Sequence, residues 1–321
     1  MRGEMGDDAI RVIYEHLCSF DPKPDQLDLF LHTDGGDFTV PWRLLNLLRE
    51  FASDIALLVP SRACSAGTLA ALGADTVVMH PMGVLGPTET EITGPFNPRD
   101  RESNLMPIQV EDVLSYLEWV KNDVGINHEE ELVDALGFLT ECVNPLALGL
   151  IKRSALQSQM MGERLMGIRS EEVHRQDALE IVSTLAQKLF YHGHPINRRE
   201  ARDELGLKWV EDAEPDVEKA MWELYCSYEK DMRLTEPFSL GPEAIAANGG
   251  KVPEIPVRTA NESEPLAIAE VDLEPGQLVW VESEARADCL EEQMTVTLSR
   301  GVEGHLSWRY FLREEEWRQK R

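Results

Sequence analysis

The sequence lacks any long uninterrupted apolar run, and none of its runs approaches the roughly 20 residues that a membrane-spanning helix needs. The first residues, Met1 to Asp8, also lack the apolar core of a signal peptide. The first absence argues against a membrane span in this chain, and the second argues against export through the usual signal. We therefore expect a cytoplasmic location.

Paired cysteines are missing as well. The five cysteines are scattered, and no two of them form a C-x-x-C pair. An odd number at such wide spacing argues against a disulfide framework and against a zinc site, and it favours reduced thiols in a reducing compartment. His192 and His194 resemble a metal pair only superficially, because the adjoining Gly193 and Pro195 indicate a turn. We expect no metal and no cofactor.

Positive charge is scarce: 31 Lys and Arg stand against 58 Asp and Glu, for a net charge of −27. Nucleic acids and anionic membrane surfaces are polyanions, so this balance disfavours both as general partners. Acidity of this kind is typical of a solvated surface that keeps a protein in solution, and it does not identify a substrate. A chain of 321 residues is long enough for one large domain or two smaller ones.

Apolar runs and helical periods alternate over the first 80 residues. Leu27–His32 and Ile55–Pro60 are nearly continuous apolar runs, which are typical of strands buried on both faces, and Thr76–Met79 predicts a third strand. Val40–Phe51 and Ala66–Leu72 predict helices between them. The order βαβαβ implies parallel strands, and ligands of such sheets bind beyond the carboxyl ends of the strands.

The middle of the chain is predicted to be helical and its end to contain strands. The predicted helices are Ala9–Leu17, Val110–Lys121, Leu146–Gly167, Glu171–Tyr191, Asn197 to Gly206 with Glu200 completing a capping box, and Asp216–Met232. Thr235–Pro265 predicts an irregular connection, and Leu278–Ser283 and Met294–Ser299 predict a β-hairpin. We therefore expect one domain over residues 1–233 and a small β-containing appendage over residues 234–321.

Two short loops follow the first two predicted strands: TDGGD (33–37) and ACSAG (63–67). The second is close to the G-x-S-x-G pattern, in which small residues let the chain turn sharply and expose a nucleophilic serine. Gly36 and Ser65 bracket one helix and one strand, so a single crossover makes the two loops neighbours. The N–H groups of Gly36 and Ala66 would then bind the oxyanion of a tetrahedral intermediate.

These loops, in the runs HTDGGD and IALLVPSRACSAGTLAALGADTVVMHPMGVLGP, resemble the Clp protease/crotonase superfold. The chain is most similar to the serine dehydrogenase proteinase family, bacterial relatives of signal peptide peptidase A, and FYHGHPINRREARDELGLKWVED resembles a later segment of that family. The resemblance covers roughly residues 8–230. It implies an α/β fold with a parallel sheet, a serine hydrolase and no hydride transfer. It also implies that Ser65 is the nucleophile, that Gly36 and Ala66 supply the oxyanion N–H groups, and that Gly35 permits the turn.

The general base of the relatives has no counterpart at the matching positions. The position of the Clp histidine reads VLGP (84–87), and that of the lysine in a related membrane-associated protease group reads PIQ (107–109). Lys152, in a predicted helix, and His80, after the third predicted strand, are the remaining candidates. A desolvated lysine can act as a base because burial lowers its pKa. The alternatives are a solvated helix lysine and a histidine that serves only its loop.

We therefore predict a serine hydrolase, a peptidase that acts on a peptide or protein substrate and assembles into a homo-oligomer. The first alternative is a catalytically silent binding or scaffolding member of the same fold, which the missing base supports. The second is a crotonase-type enzyme acting on an acyl thioester, which predicts affinity for coenzyme A. Relatives of this fold carry a strand before the first helix, so either that strand is absent or an upstream segment, with or without a membrane anchor, is missing. The cytoplasmic expectation depends on which of these holds.

Overall fold

The computed structural model of the chain describes residues 4–88, 91–92, 95–100, 105–106, 108–187, 193–254, 267–300 and 305–321. The chain forms two compact units. The first, here called the parallel unit, comprises Met5–Ile10 and Asp21–Trp222. The second, here called the antiparallel unit, comprises Met1–Glu4, Arg11–Phe20 and Glu223–Arg321. The expected domains, residues 1–233 and 234–321, stay a prediction.

Helices and strands alternate at first and then segregate. The helices are α1 (Asp8–Leu17), α2 (Val40–Arg49), α3 (Ala66–Gly73), α4 (Val110–Glu118), α5 (Glu129–Cys142), α6 (Pro145–Met166), α7 (Arg175–Gln187), α8 (Pro215–Asp231) and α9 (Leu240–Ala247). Two π-helical turns cover Trp119–Asp123 and Glu200–Glu204. The strands are β1 (Gln26–Phe30), β2 (Asp54–Val59), β3 (Arg62–Ala63), β4 (Thr76–Met79), β5 (Val84–Leu85), β6 (Glu91–Ile92), β7 (Ile108–Gln109), β8 (Ile196–Asn197), β9 (Val210–Asp212), β10 (Ala267–Asp272), β11 (Gly276–Glu282), β12 (Ala287–Arg300) and β13 (Leu306–Gln319).

A four-stranded parallel sheet in the order β1–β2–β4–β9 organises the parallel unit. Ile55 and Val59 of β2 are fully buried, as expected for a strand covered on both faces. Every residue of α3 is buried, and Leu165 of α6 packs against Gly73 at its end. The strands β3, β5 and β8 form a small second sheet beside the turn that precedes α3. The predicted α/β fold with parallel strands and βαβ crossovers is confirmed.

The antiparallel unit contains a four-stranded sheet centred on β12. One edge of β12 pairs with β11 and then β10, and the other edge pairs with β13 along almost its whole length. Helix α9 packs on this sheet through Ala244, over a small core that includes Val296 and Leu298. This unit is larger in secondary structure than the predicted hairpin, because β10 and β13 were not predicted.

Two further features differ from the sequence-based expectation. Helix α5 was not predicted, and α9 lies inside the segment 235–265 that was expected to be irregular; residues 255–266 of that segment lie outside the described residues. The capping box at Asn197 is half formed. The Asn197 side chain accepts from the N–H groups of Arg199 and Glu200, but the Glu200 carboxylate bonds to His194 Nε2 at 2.6 Å instead of returning to Asn197.

Among the described residues, no single helix has the length and the apolar character needed to cross a bilayer. Helices α5 and α6 meet that requirement only when they are taken together, and the chain bends by 100° between them.

Candidate active site

Ser65 occupies a strained turn between β3 and α3. Its backbone has φ 51° and ψ −109°, and a non-glycine residue at positive φ persists only where the surrounding structure holds it there. Ser65 stands at the N-cap of α3, but its side chain makes no capping hydrogen bond. The half-buried hydroxyl is therefore not used to begin the helix, which is the structural role that serine most often has at such a position.

The glycine-rich loop lies directly against Ser65. A Cβ added to Gly35 would fall 2.8 Å from Ser65 Cβ and 3.4 Å from Ser65 Oγ, and Gly35 has φ 121°. Two main-chain hydrogen bonds join the loops: Thr33 N–H donates to the Arg62 carbonyl at 3.0 Å, and Cys64 N–H donates to the Thr33 carbonyl at 3.1 Å. The structure thus brings the two predicted loops together, with no room for a side chain at Gly35.

Gly36 and Ala66 each present a backbone N–H group at this turn. Ala66 is the first residue of α3, where an N–H has no partner within the helix. Gly36 is flanked by the main chain of Met5, whose N–H donates to the Gly35 carbonyl at 2.8 Å and whose carbonyl accepts from Asp37 N–H at 3.1 Å. Within the described part of the chain, neither the Gly36 nor the Ala66 N–H has a hydrogen-bond partner. Both are available to an oxyanion.

The buried Thr68 holds the start of α3 against the backbone of Ala63 and Gly86. The Thr68 hydroxyl accepts from Gly86 N–H at 2.9 Å and lies 2.7 Å from the Gly86 carbonyl oxygen and 3.0 Å from the Ala63 carbonyl oxygen. Cys64 packs against the same glycine, since a Cβ added to Gly86 would lie 3.2 Å from Cys64 Cβ. Burial raises the pKa of the Cys64 thiol, which suits a packing role rather than a nucleophilic one.

Asp75 anchors the other end of α3. It accepts from Arg49 Nη1 and Nη2 at 2.6 and 2.9 Å, from Ile55 N–H at 2.8 Å, and from the N–H and hydroxyl of Ser170 at 2.8 and 2.7 Å. Burial alone would raise the pKa of Asp75, but the hydrogen bonds from Arg49, Ser170 and Ile55 outweigh it and hold the pKa well below its usual range. This carboxylate ties α2, β2 and the segment after α6 to the helix that carries Ser65.

His80 follows β4, as predicted, and is buried in a turn. Its ring stacks on Trp222 with centroids 4.9 Å apart, and its Nδ1 accepts from Met82 N–H at 3.0 Å. Burial is the main cause that lowers the pKa of His80, with Arg198 acting in the same direction and Glu218 against it. No hydrogen bond joins His80 to Ser65 in the described ranges. The role of His80 as a base stays a prediction.

Lys152 lies in α6, as predicted, with its side chain exposed to solvent. The preceding residue, Ile151, is buried in a cluster with Ile108 and Val113, so the helix turns its apolar face inward at this point. No ion pair or hydrogen bond of Lys152 with Ser65 occurs among the residues that the structure describes. The role of Lys152 as a base also stays a prediction.

A second serine, in the antiparallel unit, was missed. His16 of α1 is buried, with Nδ1 3.0 Å from Ser283 Oγ and Nε2 2.9 Å from Asp288 Oδ2. Arg286 Nη2 donates to Asp288 Oδ1 at 3.0 Å, and its Nε bonds to Oδ2. Arg286, followed by His16, holds the pKa of Asp288 below its usual range against the opposing effect of burial. His16 and Asp288 are 272 residues apart, and no local signal marks the pair.

In the described ranges, no group of three or more His, Cys, Asp or Glu side chains could hold a metal ion. His192 of the weighed pair lies outside those ranges, and His194 bonds to Glu200.

The family of ClpP-like SDH-type serine proteinases matches residues 7–98. Two uncharacterized proteins of Methanocaldococcus jannaschii are similar over 71 residues each: MJ0137 is 35% identical and MJ1495 is 32% identical. Each match covers 22% of this chain, and the matches cover 25% and 24% of the relatives. The chain therefore spans about a quarter of the length of the curated relatives that it matches.

Two solved structures are also similar at 15% identity. Both are mutants of the 1510-N membrane-bound stomatin-specific protease, and one is in complex with a substrate peptide. The matches cover 70% and 67% of this chain and 94% and 95% of those chains, with TM-scores of 0.26 and 0.28.

The segment matched by the family runs from α1 past β5 and contains both loops. It includes Gly35, Gly36, Ser65 and Ala66, the residues on which the predicted resemblance rested. Over residues 7–98, the match to the ClpP-like SDH-type serine proteinases agrees with the family predicted from the sequence motifs.

Proposed function

We propose that the chain is a serine peptidase whose nucleophile is Ser65. The observation that carries the proposal is the backbone of Ser65, which is held at φ 51° while its hydroxyl makes no capping bond. Structures keep such strain mainly where a side chain must be aimed at a ligand or a reacting group. The contact of Gly35 with Ser65 and the family match over residues 7–98 support the same assignment.

In this mechanism, Ser65 Oγ attacks the carbonyl carbon of a peptide bond and loses its proton to a general base. The carbonyl oxygen takes up negative charge as the tetrahedral intermediate forms. The N–H groups of Gly36 and Ala66 would stabilise that oxyanion, helped by the positive end of the α3 dipole. The protonated base then gives its proton to the departing amine, and water hydrolyses the acyl ester on Ser65.

His80 and Lys152 remain the candidates for the base, and the structure sets different requirements for each. Burial keeps His80 in the neutral form that accepts a proton, but its Nδ1 already accepts from Met82 N–H, so that bond would have to break. Lys152 is exposed, so substrate or a neighbouring subunit would have to remove water from its amine before it could act as a base.

A peptide or protein substrate and a homo-oligomeric assembly are part of the proposal. The parallel unit exposes several large apolar side chains on and beside α4 to α6: Trp119 at 55%, Val133 at 67%, Phe138 at 67% and Leu146 at 59%. Apolar surface of this kind is commonly covered by a partner, here a second copy. A reducing, cytoplasmic compartment is supported by the five cysteines, all of which are free thiols.

The test is labelling with a fluorophosphonate probe across a pH series. We expect the wild-type protein to react, Ser65→Ala to lose the label completely, and Ser283→Ala, the matched control at the other serine, to react like wild type. A labelling midpoint below about 6.5 would favour His80 as the base, because burial lowers its pKa, and a midpoint well above that would favour a lysine. Labelling that survives in Ser65→Ala would refute the assignment.

The silent scaffolding member is the second candidate, and a specific observation favours it. Ser65 Oγ has no hydrogen-bond partner among the described residues, so nothing in them activates it. This candidate predicts no labelling in a folded sample at any pH. The crotonase-type alternative predicts binding of coenzyme A that Ser65→Ala leaves intact, which isothermal titration calorimetry measures on the same samples.

A further inference from the structure

Strand β13 is the outer strand of the antiparallel unit, and it is open on one edge. Its inner edge pairs with β12 from Leu306 opposite Arg300 to Gln319 opposite Asp288. No strand within the described ranges pairs with its other edge. A long, unpaired edge is a template for another strand, and proteins normally cover or disrupt such edges.

The apolar face of β13 continues the core of the unit without being covered. The register places Trp308 opposite Leu298, Tyr310 opposite Val296, and Leu312 opposite Met294. The three β12 side chains are at most 3% exposed, whereas Trp308, Tyr310 and Leu312 are 46%, 57% and 49% exposed. Helix α9 contacts the start of this row, where Gly241 packs against the Trp308 ring. The apolar row on β13 is therefore largely exposed to solvent beside the core of the unit.

The charges of β13 are divided between its two halves. Arg309 lies before the bulge at Arg313, and Glu314, Glu315 and Glu316 lie after it. Arg318 also lies in the second half and pairs with Glu314 and Glu316, so this half keeps a net negative charge. When two copies of one strand pair antiparallel, the first half of each runs beside the second half of the other. A strand with a cationic first half and an anionic second half is therefore complementary to itself.

We propose that the partner of β13 is the same strand in a second copy of this chain, paired antiparallel edge to edge about a two-fold axis. With Leu312 opposite its own copy, and allowing for the bulged residue in both strands, Arg309 falls opposite the second copy's Glu316. Trp308 then falls opposite the second copy's Trp317, on the face that carries the core. The pairing joins the two small cores into one and closes both edges. It rests on the proposed homo-oligomer and names one interface of it.

The experiment is a charge swap in the full chain. Wild type, Arg309→Glu, Glu316→Arg and the double variant are compared by sedimentation velocity over a concentration series. Each single reversal sets like charges opposite each other twice in the dimer, and we expect it to weaken this assembly step about tenfold. The double variant restores the opposite-charge pairs and should associate like wild type. Arg199→Glu, at an exposed site in the parallel unit, makes the same charge change as a control.

Hydrogen exchange gives an independent readout. The amides of residues 306–319 should gain protection as wild type associates and lose it in either single reversal at the same concentration. An oligomer whose assembly ignores the reversals would overturn the β13 pairing and leave the proposed homo-oligomer standing. A protein that stays monomeric would overturn both, whether or not residues 306–319 are protected. Thermal melts show whether a single variant has lost its fold. The comparison of the double variant with wild type tests the charge pairing even if a single variant is unfolded.

Discussion

Two serines in this chain each have one part of a nucleophilic site: Ser65 has the oxyanion-binding groups, and Ser283 has the histidine and the aspartate. Ser65 has positive φ, a glycine against its side chain and two unpaired N–H groups at hand, yet no base is bonded to it in the described residues. Ser283 is bonded to His16, and His16 to Asp288, in the order of a catalytic triad. The hydrogen bonds alone point to Ser283, whereas the backbone strain and the unpaired N–H groups point to Ser65.

The difference lies in what each arrangement can stabilise. The Asp288 carboxylate is already paired with Arg286, so its negative charge is balanced by a structural ion pair. It is therefore less able to stabilise an imidazolium at His16, which is the role of the carboxylate in a catalytic triad. Ser283 bonds through its own N–H to the Arg286 carbonyl inside a hairpin, which leaves that N–H unable to bind an oxyanion. The Ser65 region has the stabilising groups, and those dominate in acyl transfer.

The largest effect should come from adding one methyl group beside Ser65. In Gly36→Ala, the new Cβ would lie 2.4 Å from Met5 N and 2.6 Å from Met5 O, so the loop must move and carry its N–H away from the oxyanion. We expect the rate of fluorophosphonate labelling to fall about 100- to 1000-fold, the usual cost of losing one oxyanion donor.

Gly125→Ala is the matched control. Gly125 also has positive φ, at 80°, but nothing lies within 4 Å of the Cβ that would be added there. That variant should lose about 1 kcal/mol of stability and label normally. Equal labelling rates for Gly36→Ala and wild type would show that the Gly36 N–H takes no part in the chemistry.

The parallel unit was accessible from sequence because its signals are local. Continuous apolar runs such as the one containing Ile55 and Val59 predict strands buried on both faces, and β2 is such a strand. The small residues around Ser65 predicted a sharp turn, and the turn is sharp enough to need positive φ. Each of these patterns is read within about ten residues, so no tertiary information was required.

What the sequence could not predict depends on partners far along the chain. Six of the 14 residues of β13 are charged, and α9 contains Gly241 and Pro242, so neither has the composition typical of its secondary structure. Both form because they pack on β12. The environments of the two base candidates were not predictable for the same reason: burial of His80 against Trp222 and exposure of Lys152 follow from packing, which no local pattern reports.

A change at Asp75 tests how much this carboxylate stabilises the fold around Ser65, separately from the reactivity of Ser65. Asp75→Asn keeps the shape but places an amide against the donors of Arg49 and Ser170, and we expect a loss of about 3 kcal/mol in unfolding free energy. Urea denaturation at pH 7 measures it. Asp54→Asn, at an exposed aspartate on β2 of the same sheet, should change stability by less than about 0.5 kcal/mol.

The pH dependence of stability in wild type and in Asp75→Asn tests whether folding lowers the pKa of Asp75. The folded pKa of Asp75 lies well below the value of about 3.9 expected when unfolded, so its contribution is complete above about pH 5 and is lost as the pH falls toward the folded value. Wild type should therefore lose more stability between pH 5 and pH 3 than Asp75→Asn does. Parallel acid limbs for the two proteins would contradict the depressed pKa.

The smallest effect should come from the triad-like cluster at Ser283. His16→Ala removes a buried ring and its bonds to Asp288 and Ser283, and we expect about 2 kcal/mol of lost stability with an unchanged labelling rate at Ser65. His128→Ala, at an exposed histidine before α5, should leave both quantities unchanged.

Ser283→Ala sharpens this last comparison, because it removes only the hydroxyl that is hydrogen-bonded to His16 Nδ1 and should cost about 1 kcal/mol. If His16→Ala or Ser283→Ala abolished labelling in a protein that still melts cooperatively, the second serine would be the reactive one. The strain at Ser65 would then be structural. If both variants lose stability but keep the label, His16 has a structural role. It lies between Asp288, whose charge Arg286 already balances, and the Ser283 hydroxyl, beside which the Ser283 N–H is already bonded to the Arg286 carbonyl.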